Sequence, residues 1–72
     1  MSDKIFVFQR TADTIKASKL LAAAGVEAKV ISLPDWLSFE CGVSLVISVD
    51  NQANAQEVLS ASKIALAGIY DY

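Results

Sequence analysis

Apolar residues recur along the chain in two alternating rhythms, and each change of rhythm marks the border of an element. Lys4-Ile5-Phe6-Val7-Phe8-Gln9 is β-branched and aromatic at its centre, with apolar residues on both faces, and predicts a central strand. A side-chain oxygen at Thr11 or Asp13 is placed to cap a helix start, and the run to Ala24 is rich in Ala, Lys and Leu until Gly25 stops it. Ala17, Leu20, Leu21 and Ala24 form its apolar stripe. Ile15 falls off that stripe, so it is either a surface residue or a sign that the stripe is rotated. Glu27-Ala28-Lys29-Val30-Ile31 predicts a short second strand, and Pro34, the sole proline, lies in a non-repetitive stretch from Ser32 to Glu40. From Cys41 the period becomes two: Val43, Leu45, Ile47 and Val49 point one way, and Gly42, Ser44, Val46 and Ser48 the other. Asp50 or Asn51 is placed to cap a second helix with Ala55, Val58, Leu59 and Ser62 on one face, and Leu66 to Tyr70 predicts a last strand.

The order strand-helix-strand-strand-helix-strand suits an α+β, ferredoxin-like βαββαβ sandwich: a four-stranded antiparallel sheet with two helices on one face. Residues 1–72 then form one domain, with no internal sequence repeat, linker or low-complexity segment. Right-handed crossovers make the first and third strands the central antiparallel pair and leave the second and fourth at the edges. The start of the third strand therefore lies beside the end of the first.

Composition narrows the chemistry. At 72 residues, 54% hydrophobic and 19% charged, the chain is too apolar for a disordered segment. It also lacks the ~18 consecutive apolar residues of a membrane span, so no membrane partner is expected. With no His and one Cys, Cys41, it cannot supply a Cys/His zinc site, a Cys-His pair, a Ser-His-Asp triad or an internal disulfide, and no metal or cofactor is expected. The serines at 32, 38, 44, 48, 60 and 62 lack a base partner for nucleophilic chemistry. A net charge of −2 argues against nucleic acid as a partner. The amino terminus is too short and too acidic for a secretory signal, which makes a reducing cytoplasm, with the thiol free, the expected setting.

The topology places Cys41 near Gln9 and Arg10, near the amino end of the first helix, and beneath the Ser32 to Glu40 loop. A helix amino terminus or an adjacent Arg lowers a thiol pKa from about 8.5 toward about 3.5–7.5 and favours the thiolate. Glu40 and Asp35 act in the opposite sense, so the net sign depends on distances. The plain alternative is that Cys41, which shares parity with Val43, is a small apolar residue facing the helices. Gly42 beside it leaves room for close approach of another molecule, or for a bulge.

The segment Val30-Ile31-Ser32-Leu33-Pro34-Asp35-Trp36-Leu37-Ser38-Phe39-Glu40-Cys41-Gly42 resembles the bacterial domains known as putative selenium/sulfur carrier protein-like. Pro34, Ser38, Cys41 and Gly42 match that family's proline, serine turn and Cys-Gly at its spacing, and Lys19-Leu20-Leu21 followed by Gly25 looks like its helix and stop. The similarity covers about residues 5 to 47. It implies a carrier rather than an enzyme, in which Cys41 receives sulfur or selenium as a persulfide or selenosulfide from a donor protein and hands it to an acceptor. Gly42 and Ser38 would support the terminal atom, and by topology Arg10 and Thr11 would add charge and a hydrogen bond. A carrier must lack a second thiol that would discharge the persulfide as a disulfide, and this chain does.

Other residues leave a reading of a different class open, a non-catalytic interaction or regulatory module with a structural Cys41. Phe6 and Phe8 share a face, and with Val46 they would give the sheet an apolar open side; this predicts a homodimer through that face. The alternative packs both Phe rings beneath the helices and turns Ile5 and Val7 outward. Base stacking on such aromatics needs basic residues and a glycine-aromatic motif that are missing. Trp36 would either cover Cys41 or dock a partner, or else anchor its loop on the core. Tyr70-Asp71-Tyr72 reads as strand edge and tail.

Overall fold

The strand Ile5 to Phe8 organises the molecule, because all four of its side chains are fully buried. The computed structural model describes residues 3–36, 42–64 and 66–72. Its elements are β1 (Asp3–Phe8), α1 (Thr11–Ala23), β2 (Lys29–Ser32), β3 (Val43–Ser48), a 3-10 turn (Val49–Asn51), α2 (Gln52–Ala61) and β4 (Leu66–Asp71). The four strands form one antiparallel sheet in the order β2-β3-β1-β4. This is the expected ferredoxin-like arrangement, with β1 and β3 central and the short β2 and β4 at the edges.

Register determines which residues share a face. Phe6 pairs with Leu45 and Ile69, and Ile5 pairs with Val46 and Tyr70. Phe6, Phe8, Leu45 and Ile47 pack with Ala17 and Leu21 of α1, Ala55 and Leu59 of α2, and Val26. Both Phe rings therefore lie beneath the helices. This corrects the expectation of an aromatic open face: strand alternation sends Ile5, Val7 and Val46 to that side instead. The alternative is also only half met, since Ile5 and Val7 face away from the helices yet have no exposed surface.

The helices depart from expectation in detail. The buried face of α1 is Thr14, Ala17 and Leu21, while Leu20 is half-buried, Ala24 exposed and Ile15 exposed, so the stripe is rotated from the one read in the sequence. Neither Thr11 nor Asp13 caps the helix. Arg10 occupies the cap position in extended conformation with no side-chain bond, and its carbonyl accepts from the Thr14 amide at 3.2 Å and the Thr14 hydroxyl at 3.3 Å. That bond to the preceding turn lets a threonine sit at 0% exposure. Before α2, the Ser48 hydroxyl accepts from the Asp50 amide, and Asn51 stands at the helix cap without a side-chain bond. β2 begins at Lys29 rather than Glu27, and β3 runs Val43–Ser48 with Gly42 before it; Cys41, where the strand was expected to open, lies outside the described residues.

Two helix ends show contrasting termination. Gly25, after α1, takes φ +77°, and Val26 donates back to Leu21 at 2.8 Å, an economical left-handed stop. Lys63, after α2, takes φ 59°, and Ile64 donates to Leu59 at 3.0 Å, so the same stop is made by a residue with a Cβ. Lys63→Gly should therefore raise stability by about 0.5–1 kcal/mol, read from the urea midpoint at unchanged m-value.

Cross-strand partners Lys4 and Asp71 form an ion pair. Asp71 is 84% exposed, so Asp71→Asn should cost at most a few tenths of a kcal/mol, with the difference vanishing in molar salt.

Candidate functional site at the head of strand β3

The end of β1, the start of α1, the start of β3 and the connection leaving β2 converge at one end of the sheet. Of the site residues read in the sequence, Cys41 and Ser38 lie outside the described residues; Gly42, Pro34, Arg10 and Thr11 lie within them. Gly42 is held by β2: its carbonyl accepts from the Leu33 amide at 3.0 Å, one step beyond the Ser32–Val43 pair. Among the described residues nothing lies within 4 Å of where a Cβ on Gly42 would stand. Continuing the β1–β3 register from the Phe6–Leu45 pair brings Gly42 opposite Gln9, and Arg10 and Thr11 follow at the exposed amino end of α1. Arg10 supplies a full positive charge there and the helix terminus a partial one. Pro34 is half-buried at the root of the connection and Asp35 is exposed.

Sequence reading missed the course of the connection itself. The Trp36 ring meets the Tyr70 ring edge-on, with centroids 6.2 Å apart and planes at 83°. Trp36 lies four residues past the end of β2, whereas Tyr70 belongs to β4 on the opposite edge of the sheet. Three inter-strand steps of about 4.8 Å separate those edges. Tyr70 shares a face with Ile5 and Gly68, the side away from the helices, and its ring leans over Gly68. The stretch Leu33 to Trp36 thus forms a strap across the open face. The row on that face runs Ile31, Ser44, Val7, Gly68 by register, and Val7 and Ser44 are fully buried. Trp36 therefore does not anchor the loop on the helix-side core; it rests on Tyr70 and keeps 63% of its surface exposed. Tyr70 is no simple edge residue either. The signal that could have found it is Gly68 two positions earlier, since a glycine within a strand marks the close approach of another group.

The remaining chemistry is sparse. Among the described residues no three His, Cys, Asp or Glu side chains group into a metal site, and no helix is long and apolar enough to cross a membrane. A cleft of about 240 Å³ opens at the far end of the sheet, lined by Asp3, Glu27, Lys29, Val46, Ser48 and Asn51. Its mixed charges lie away from Gly42.

An open antiparallel sheet of βαββαβ order with two helices on one face makes this a small α+β, ferredoxin-like domain. The family described as Putative Se/S carrier protein-like matches residues 3–71, and the chain belongs to that family. No curated protein matches the chain significantly, and no solved structure does so.

The Tyr70 ring occupies the place a side chain at residue 68 would need: a Cβ there would stand 2.7 Å from Cε2 and 2.9 Å from Cζ. Gly68→Ala should displace the ring, cost about 1–3 kcal/mol, and weaken the near-ultraviolet circular dichroism of the Trp36–Tyr70 pair.

Proposed function

We propose that the chain is a single-thiol carrier that takes up sulfur or selenium on Cys41. The observation that carries this reading is its membership, over residues 3–71, of a family described by that cargo, in a chain with one cysteine and no histidine. Such a protein requires one accessible thiol and no neighbour able to discharge the cargo. That no described residue crowds Gly42 supports access to the adjacent thiol.

The chemistry is an exchange that needs no external oxidant. The Cys41 thiolate attacks the outer sulfur of a donor protein's persulfide; the donor's S–S bond breaks, its thiolate leaves, and a new S–S bond leaves Cys41 as a persulfide. With an outer selenium on the donor the same displacement yields a selenosulfide. An acceptor nucleophile then takes the outer atom and returns the Cys41 thiolate. Arg10 and the amino end of α1 favour that thiolate, the Gly42 amide and Ser38 hydroxyl support the outer atom, and Thr11 adds a hydrogen bond. Donor and acceptor are proteins, met in the reducing cytoplasm where a persulfide handle persists between encounters.

Incubation with a cysteine desulfurase and cysteine should add the mass of one sulfur atom to the intact protein, and Cys41→Ser should abolish the gain. Arg10→Gln should slow alkylation of the thiol at pH 7 about two- to fivefold. Absence of the adduct, with Cys41 resistant to alkylation until the protein unfolds, would overturn the reading and leave Cys41 a structural residue of an interaction module.

A further inference from the structure

The two edges of the sheet are not alike. β2 is four residues long, opens on Lys29 and is followed by Pro34, features that blunt an edge against further pairing. β4 runs for six residues, Leu66–Asp71, without Lys, Arg or Pro, and its one charge, Asp71, is engaged by Lys4 of the same sheet. The Tyr72 amide donates to the Asp3 carbonyl at 3.1 Å, which sets the phase of the β1–β4 ladder. Tyr70 and Gly68 then bond to β1, the main-chain groups of Ile69 and Asp71 point away from it, and no described strand lies on that side. Aromatic side chains gather at this edge as well. Tyr70 belongs to it, Trp36 packs on the Tyr70 ring, and Tyr72 follows it, the first of these half-buried and the other two exposed. Trp and Tyr are the residues that anchor interfaces.

What fits the edge follows from its symmetry about Ile69. In an antiparallel pairing of β4 with a second β4, a two-fold axis at Ile69 sets Ile69 against itself, Gly68 against Tyr70, and Ala67 against Asp71. This register joins Ile69 and Asp71 through the main-chain groups that point outward, and it sets each bulky side chain opposite a small one. The Tyr70 ring leans over its own Gly68, so the bare glycine leaves two rings room to lie side by side across the seam. An axis at Tyr70 would set ring on ring, and one at Asp71 would set charge on charge.

We propose that two copies of this chain pair through β4, antiparallel about Ile69, so that their sheets become one. The two β3 strands then stand five inter-strand steps of about 4.8 Å apart, about 24 Å. That spacing holds the two Gly42 residues, each next in sequence to a thiol, away from one another. It suits a carrier whose cargo a neighbouring thiol would discharge; this consequence rests on the carrier reading above, whereas the pairing does not.

An edge of six residues with flanking aromatics falls at the low end of specific interfaces, so the protein should sediment as a monomer at about 5 µM and as a dimer at about 0.5 mM. Full-length protein assembled by ligation at Cys41, with the Ile69 amide N-methylated, lacks one outward donor and keeps every side chain and the β1 ladder. It should stay monomeric at the higher concentration, with unchanged circular dichroism. Ala67→Glu, which sets a carboxylate against Asp71 of the second copy, should weaken the dimer at least about tenfold, and Ala67→Lys should not weaken it.

A wild-type protein that stays monomeric at the higher concentration overturns the proposal. So does a dimer that survives N-methylation at Ile69, which would put the interface elsewhere on the chain. Ala67→Glu and Ala67→Lys proteins that dimerise equally well overturn the pairing about Ile69. Failure of sulfur transfer beside the expected sedimentation results overturns the carrier reading and leaves the pairing standing.

Discussion

Everything in this fold depends on burying both faces of one strand. Ile5, Phe6, Val7 and Phe8 are consecutive and fully buried, so β1 needs cover above and below. Among the described residues both helices, α1 and α2, lie on the Phe6 and Phe8 side. A small domain buries only about 60% of its potential surface, so it cannot leave such a strand half wet. The second face is instead closed by a tyrosine from an edge strand and by the connection between β2 and β3, which crosses the sheet to meet it.

The sequence announced the first of these solutions and concealed the second. Strand and helix order was readable because Ile5 to Phe8 and Val43 to Val49 carry period-two patterns and the helices repeat at three and four. Once the elements were known, chirality rules left little freedom in the sheet order. What failed was local and chemical. The caps expected at Thr11 and Asp13 are not made because α1 starts at Thr11, with Arg10 in the cap position and no side-chain bond there, while Thr14 turns its hydroxyl back to the Arg10 carbonyl as a core residue. The strap was invisible because Ser32 to Trp36 has no periodicity, and its anchor, Tyr70, lies 34 positions from Trp36 in the chain. A contact of that separation leaves no local mark except Gly68, whose bare backbone accepts the ring.

The site was legible in the same partial way. Gly42, Arg10 and Thr11 come together at the head of β3 because register alone brings the end of β1 beside the start of β3. The proposed role of Cys41 rests on residue types at a spacing, Pro34, Ser38, Cys41 and Gly42, and on no periodicity. Phe6 and Phe8, taken for an exposed pairing surface, obey strand alternation from the buried side, so nothing aromatic in β1 remains to recruit a second copy. Of the described aromatic side chains, Trp36 and Tyr72 are the exposed ones, and Trp36 lies on the connection between β2 and β3.

Covering a sheet with a connection has consequences different from covering it with a helix. A helix satisfies its own backbone and presents one apolar stripe, so it stays down and can be forgotten by the active groups of the protein. A strap of a few residues has no internal ladder and is held by side-chain contacts, here Trp36 against Tyr70, on a face that also buries Ser44. The same few residues thus serve two demands that conflict, sealing β1 and leading to the one thiol in the chain.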